Sequence, residues 1–589
     1  MPLLFGAWSL CLGIDANWDL YNYHLYNPFA LINGKLHVDL APAGLQTYFN
    51  PLLDVPYYVM SLHLPAPLVG FVMGVLHGLN FLLLLGIARK ALPGLPEGDR
   101  NRVPLLLALA GVLTANYLSE FGNTMGDNTT ALFCLGSLLL TLTRRERITD
   151  WSRHSVSRIL GAGLLMGLGV GLKLTNAIFA VALCAALLLL QASPLARVRS
   201  AFLFGAGVLL GTAATGGFWL HEMWRTFGNP LFPQFSAIFP SPLTRSVVAA
   251  DNHWLPEGVV EALLWPFVTA LDAHRVGQVS IRQLIWPVAY LVFFAWAGAR
   301  IAGRATHRET IALDSPARLV IAFVAIGYLV WMALFSIYRY LVPAELLAPL
   351  FVFVLLSVLL AYPTARRAAA WSLGIATVLV VAGGVEFWGH RGWSLTAFDA
   401  EVPEISRPSA TTALIVGGDP PWAWLAIFFP PDVSFIQLGG NFPEGPGYSA
   451  RVHEMVARRG GAAFAIVQGA RHGRLENVLE ANAYATRWGL TSTEAGCDLL
   501  RWAVSNLRFR AKVQEASNSG SGALCELGLR PGDEKDLDAE SQVARDKARP
   551  ILASYGFAFD PAGCSSHRAR IGQGRTVYQW CRMTPGNRE

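Results

Sequence analysis

Charge is scarce in this chain. Only 15% of its 589 residues are Asp, Glu, Lys or Arg, against about 25% in ordinary soluble domains, while 53% are hydrophobic. The shortage is uneven. Residues 1–390 hold long apolar runs, and residues 391–589 have the mixed composition of a water-soluble domain. No Lys/Arg cluster is interleaved with aromatics, so the net charge of +6 makes no case for nucleic acid. Neither G-x-G-x-x-G nor G-x-x-x-x-G-K-S/T occurs, which argues against a nucleotide site. Cys-x-x-Cys and paired His are missing, which argues against structural zinc. The opening MPLLFGAWSLCLGI lacks a basic n-region and a small-residue cleavage site. It reads as a short first membrane helix of about 21 Å rather than a cleaved leader.

Apolar runs predict an α-helical polytopic membrane protein of about eleven transmembrane helices. The candidate spans are 2–14, 66–87, 104–118, 129–143, 159–172, 176–191, 200–218, 283–299, 318–335, 342–360 and 371–388. Alternate loops differ in charge. Those at 88–103, 144–158, 192–199, 300–317 and 361–370 carry Arg89, Lys90, Arg144, Arg145, Arg147, Arg304, Arg308, Arg366 and others. The opposite loops at 15–65, 119–128 and 336–341 carry only Lys35 and Arg339. Basic loops face the cytoplasm, which puts the N-terminus inside and the loops 15–65 and 219–282, with the tail from 389, outside. In those long loops, 51–64 and 259–271 are apolar but too short to span, and they read as helices lying in the membrane surface.

The tail changes period. ATTALIVGG (410–418), VSFIQLGG (433–440) and AAFAIVQG (462–469) read as strands, with helical stretches at 448–460 and 474–489. That alternation predicts an extracytoplasmic α/β domain over 391–589. Of the seven cysteines, Cys11, Cys134 and Cys184 lie in apolar spans, whereas Cys497, Cys525, Cys564 and Cys581 lie in the tail. An even set in an oxidising compartment suggests two disulfides. WGLTSTEAGC (488–497) and YGFAFDPAGC (555–564) echo one another, each with one later cysteine. A duplicated unit with pairs Cys497–Cys525 and Cys564–Cys581 is the simplest reading.

Few ionisable residues lie at the outer membrane face. DANWDLYNYHLY follows the first helix and sets Asp15 and Asp19 four apart, on one face if helical. Trp18, Tyr21, Tyr23, His24 and Tyr26 surround them, and carboxylates beside aromatic faces suit sugar handling. GNTMGDN places Asp127 at the outer start of the fourth helix, and GLKLTN places Lys173 at the outer end of the fifth. SIYRYLVPAEL places Arg339 and Tyr340 at an outer turn, and HEMWRTFGNP adds Arg225. Arg339 breaks the positive-inside pattern, and a guanidinium grips phosphate in a bidentate fork.

In their order along the chain these motifs resemble the GT-C superfamily of membrane glycosyltransferases. Asp19 with Tyr23-His24 is similar to the family's Asp-Glu-x-x-Tyr/His motif, although Leu20 stands where the second acid belongs. TYFNPLLDVPYYV is similar to its Tyr-x-x-Pro-Pro-Leu segment, and Asp127, Lys173 and Arg339-Tyr340 to its later positions. The resemblance covers roughly residues 1–390. It implies an enzyme of the bacterial inner membrane that moves a sugar from a polyprenyl-phosphate donor to a lipid, glycan or protein acceptor, inverting and without a nucleotide. Asp19 is then the expected general base, with Asp15 beside it. Lys173, Arg225 and Arg339 are the expected phosphate ligands, and Tyr23, His24, Asp127 and Tyr340 line the substrate. Asp15 and Asp19 could also seat a divalent cation such as Mg or Mn. A lipid or glycan flippase, or a non-catalytic assembly subunit, remains an alternative.

Overall fold

The computed structural model describes residues 1–142, 151–246, 252–302, 315–507, 509–516 and 523–585. Arg144, Arg145, Arg147, Arg304 and Arg308 of the basic loops lie outside the described residues. The membrane portion runs α1 (Pro2–Leu12), α2 (Tyr26–Ile32), α3 (Val55–His63), α4 (Ala66–Ala91), α5 (Arg102–Val112), α6 (Ala115–Ser119), α7 (Asp127–Thr141), α8 (Arg153–Leu172), α9 (Ala177–Leu188) and α10 (Pro194–Phe227). It continues through α11 (Val259–Leu271), α12 (Ile285–Ile301), α13 (Ser315–Leu334), α14 (Val342–Leu359) and α15 (Tyr362–Val381). Each expected span holds a helix, but 104–118 is divided between α5 and α6, 371–388 is helical only to Val381 and 2–14 only to Leu12; the expected surface helices are α3 and α11. Among the described residues, five segments are long and apolar enough to cross a membrane: α4, α8, α10, α13 and Tyr338–Leu359. The chain is therefore a multi-pass membrane protein.

Two packing devices organise the helices. α14 is apolar but for Glu345 and Ser357, and it is buried from Val342 to Val358, as a nearly all-round apolar helix at the centre of a bundle must be. α8 and α10 approach through small residues. Gly163 and Gly167 face the backbone of Phe204 and Val208, while Gly207 and Gly211 face the carbonyls of Leu160 and Leu164. A Cβ at any of the four would collide with main chain.

The C-terminal portion holds β3 (Phe398–Ala400), β4 (Thr412–Val416), β5 (Ser434–Leu438), β6 (Ala463–Gln468), β9 (Phe557–Ile571) and β10 (Gly574–Pro585) in one sheet, ordered β3-β9-β10-β6-β4-β5. β4 runs parallel to β5 and β6, and the other pairs are antiparallel. Alternating residues serve two faces. Leu414, Ile436 and Ala465 pack on α16 (Tyr448–Arg459) and α19 (Leu537–Ser554). Ala413, Ile415, Phe435 and Ile466 share a core with Leu20, Tyr23, Tyr57 and Met73 of the membrane portion. Two short strands, β1 (Ile14–Asp15) and β2 (His390–Arg391), join the segment after the first helix to the start of the tail. Position 390 is therefore a join rather than a free linker.

Between sheet and tail end lie α17 (Gly473–Arg487), α18 (Glu494–Asn506) and the hairpin β7 (Lys512–Glu515) with β8 (Cys525–Gly528). The disulfides are Cys497–Cys525 and Cys564–Cys581. The echoed decapeptides, however, do not form a duplicated unit. Cys497 sits in a helix, whereas Cys564 sits in a strand, opposite Cys581. The shared letters carry no shared fold.

Candidate functional site

Asp15 and Asp19 do not share a helix face. Asp15 belongs to β1, and Asp19 caps a π-helical turn over Leu20–His24, a rare conformation that recurs at functional sites. Asn17 makes the change of direction: its Oδ1 accepts from the Leu20 N–H at 2.8 Å, and its Nδ2 donates to Asp15 at 2.8 and 2.9 Å. Asp15 also accepts from the Thr124 N–H at 2.7 Å and the Thr124 hydroxyl at 2.6 Å. Its oxygens are taken by donors that hold the 123–127 loop in place.

Asp19 lies at the centre of a cluster drawn from four loops. Arg339 Nη1 is 2.6 Å from Asp19 Oδ2, and the Tyr23 hydroxyl reaches the same oxygen at 3.5 Å. The turn that carries Arg339 is fixed from both sides, since Tyr338 N–H donates to Val276 O at 2.8 Å and Asn116 Nδ2 donates to Tyr338 O at 2.7 Å. The guanidinium stacks near the rings of Tyr340 (5.2 Å) and Trp388 (5.8 Å). Gly126, with φ +86°, turns the chain into α7 so that Asp127 opens the helix. There Asp127 Oδ2 meets Lys173 Nζ at 2.6 Å. Lys173, at the end of α8, also donates to Met125 O at 2.7 Å and lies 5.7 Å from the Tyr340 ring. Burial works to raise the Asp19 carboxyl, but the charges of Arg339, His24 and Lys173 outweigh it, so the carboxyl lies below its ordinary value.

The structure thus brings Asp19, Tyr23, His24, Asp127, Lys173, Arg339 and Tyr340 together. It leaves Arg225 out: that side chain is exposed in the last turn of α10 and pairs with Glu222 at 3.6 Å. Three groups at the cluster escaped the sequence reading. Asp54 Oδ1 lies 2.8 Å from His24 Nδ1, and the opposite ring nitrogen has no partner within the protein. Glu120, seven residues before Asp127, is fully buried with both carboxyl oxygens unpartnered. Burial and the Asp127 charge push it well up, against Lys173 and Arg339. Trp388, the expected end of a span, packs on Arg339. An acid in the loop 119–128, otherwise bare of charge except Asp127, was the legible signal for Glu120. Among the described residues, no three acidic, His or Cys side chains gather into a chelating group.

No curated protein matches the chain in sequence. Among solved structures it is similar to ArnT from Cupriavidus metallidurans bound to undecaprenyl phosphate. The identity is 17% over 65% of this chain and 64% of that one, with a TM-score of 0.41. It is also similar to the archaeal oligosaccharyltransferase AglB from Archaeoglobus fulgidus, in complex with an inhibitory peptide and a dolichol-phosphate. There the identity is 12% over 91% of this chain and 74% of that one, with a TM-score of 0.43. The chain spans a little under two thirds of that ArnT. Residues 55–330, somewhat less than half of the chain, match the model of glycosyltransferase family 87, and the resemblance to GT-C membrane glycosyltransferases read from the motifs stands with that match.

Proposed function

We propose that this chain is a membrane glycosyltransferase that moves a sugar from a polyprenyl-phosphate donor to a lipid, glycan or protein acceptor. The observation that carries the reading is the pairing of Asp19 with Arg339 beside Lys173 and Asp127, on loops at one end of the bundle. The match to glycosyltransferase family 87 supports it. The charge asymmetry of the loops supports eleven crossings, a cytoplasmic N-terminus and a periplasmic sheet domain at the inner membrane. A reporter fused after Glu589 should then be periplasmic, and one inserted in 144–158 cytoplasmic.

The proposed chemistry uses both members of the pair. In the resting protein Arg339 holds Asp19 ionised but occupied, which makes it a weak base. A donor phosphate competes for the guanidinium and, with Lys173, neutralises the charge that develops as the bond to the anomeric carbon breaks. Asp19, released from its partner, regains basicity and takes the proton of the acceptor hydroxyl as the new bond forms on the opposite face, which inverts the anomeric centre. Asp15, saturated by Thr124 and Asn17, is assigned a positioning role, and no step is routed through a metal or a nucleotide.

The test separates binding from turnover. Asp19→Asn should lower transfer by about 10²–10⁴-fold while donor binding survives, and Arg339→Ala should weaken donor binding. Wild-type turnover in Asp19→Asn would move the base elsewhere. Full donor affinity in Arg339→Ala would leave Lys173 as the phosphate ligand.

A further inference from the structure

α14 carries a single charged side chain, Glu345, and that residue lies inside the apolar span Tyr338–Leu359. It is fully buried. A carboxyl in such a place costs free energy that Leu would avoid, and ionisable residues within membrane helices mark function by default. The proposed chemistry does not use it.

Its contacts lead to Arg339 in two steps. Glu345 Oε1 accepts from the Asn116 N–H at 3.0 Å. Asn116 Nδ2 then donates to Tyr338 O at 2.7 Å, one residue before Arg339. The Tyr338 hydroxyl lies beside the same carboxyl. The other end of α6 reaches the ring beside the guanidinium. Ser119 Oγ donates to Asn116 O at 2.8 Å, and Ser119 O accepts from the Trp388 N–H at 3.3 Å. α6 thus braces both the turn that carries Arg339 and the indole 5.8 Å from it. A helix of five residues has no stability of its own, so its anchors set where it lies. Tyr117 anchors its middle, donating to His77 O at 2.9 Å, and Glu345 anchors its start. Asn116 and Ser119 are fully buried, so water does not take over a bond that is lost there.

We infer that Glu345 is a positioning residue: through Asn116 and α6 it sets the Arg339 guanidinium where Asp19 and a donor phosphate compete for it. The effect on donor binding rests on the proposed donor reading, whereas the effect on the turn 336–341 does not.

Two measurements on the full chain in nanodiscs test it: hydrogen exchange, and affinity for a short-chain polyprenyl phosphate. Glu345→Leu removes the acceptor and should speed exchange at the Tyr338 and Trp388 amides, leaving β4 and β6 as in wild type. Its affinity for the lipid phosphate should fall roughly threefold to thirtyfold. Glu345→Gln keeps an acceptor for the Asn116 N–H and should stay close to wild type in both readouts. Asn116→Ala cuts the next link and should reproduce Glu345→Leu, so it carries the same test if the Leu variant does not fold. In an Arg339→Ala background Glu345→Leu should cost no further affinity, because the carboxyl acts through that guanidinium. Unchanged exchange at residues 338 and 388 in both Glu345→Leu and Asn116→Ala overturns the inference. An equal loss of affinity with and without Arg339 does so too, since a merely structural role adds its cost in either background. A Gln variant as impaired as the Leu variant also overturns it. If wild type binds no polyprenyl phosphate, the donor reading falls, and the exchange data alone still decide the positioning role.

Discussion

The loops 15–65, 119–128 and 336–341 hold two Lys or Arg residues, Lys35 and Arg339, and the structure sets each against a carboxylate, Lys35 buried and Arg339 half-buried. Lys35 Nζ lies 3.1 Å from Asp39 and also donates to Pro431 O and Val433 O. Asp39 in turn accepts from the Tyr26 hydroxyl at 2.7 Å and from the Phe435 N–H at 2.8 Å. The surroundings therefore satisfy both charges, and Leu40 adds a bridge alongside Ile436 of β5. Arg339 and Asp19 stand among groups that lack partners: Glu120, the far nitrogen of His24, Asn116 Oδ1 and Trp388 Nε1. A saturated ion pair closes a contact, whereas an unsaturated one leaves room for a ligand. By this contrast the first pair is a latch between membrane portion and sheet domain, and the second is the pair on which the proposed site is built.

The largest effect expected outside catalysis comes from breaking the latch. Lys35→Met leaves Asp39 ionised or protonated in a buried place without its partner, a loss of about 3–5 kcal/mol. Thermal unfolding and hydrogen exchange over residues 433–438 should both register it, and Lys35→Met with Asp39→Leu should recover much of the loss. A Lys35→Met protein of wild-type stability would dissolve the contrast. Next comes the disulfide Cys497–Cys525, which closes 28 residues away from both clusters. Replacing both cysteines with Ala should lower stability of the 473–530 region by about 2–4 kcal/mol. Exchange at the latch should stay as in wild type, and a spread of the loss to residues 433–438 would show that the regions are not separate.

Asp15 sharpens the comparison because it sits beside the site yet resembles the latch. Its oxygens are occupied by Asn17 and Thr124, so Asp15→Asn should lower stability by about 1.5–3 kcal/mol, the range for charged hydrogen bonds. Turnover would suffer only through displacement of the loop that carries Met125 and Asp127. A loss of turnover as large as that of Asp19→Asn, with unchanged melting, would make Asp15 a catalytic residue.

What could be read from the letters divides along similar lines. Helices show in apolar runs, and the strands at 412–416, 434–438 and 463–468 show in β-branched runs ending in Gly, because both signals are local. Arg339, Lys173 and Asp127 were legible because charge at the edge of a membrane helix is costly and so conspicuous. The relation of Asp15 to Asp19 was not, since a π-turn and a two-residue strand replace the helix that the spacing suggested. The brace behind Arg339 could not be read at all. It joins residues 116, 119, 338, 345 and 388, which only tertiary packing brings together. Lys35 was visible as an exception to the charge rule, but its partners Pro431 and Val433 lie almost 400 residues away.

Glu120 gives the smallest effect and the finest test. Burial is the main cause that raises its carboxyl well above the ordinary 4.5, and the nearby Asp127 charge adds to it. A carboxyl whose folded value is raised binds its proton more tightly in the native state than in the unfolded one. Its contribution to stability is fully present below pH 4.5 and is lost as pH rises through the folded value. Glu120→Gln fixes a neutral group of nearly the same shape and removes that dependence. Below pH 4.5 the acid and the amide are both neutral, and the two proteins should differ little. Between pH 4.5 and the folded value, wild type should lose stability relative to the variant, and above the folded value the difference should level off. Melting temperatures of both proteins in detergent between pH 5 and 9 measure this difference. Parallel curves would mean that Glu120 is ionised throughout and paired after all, most directly with Lys173 or Arg339. That pairing would make the site as saturated as the latch.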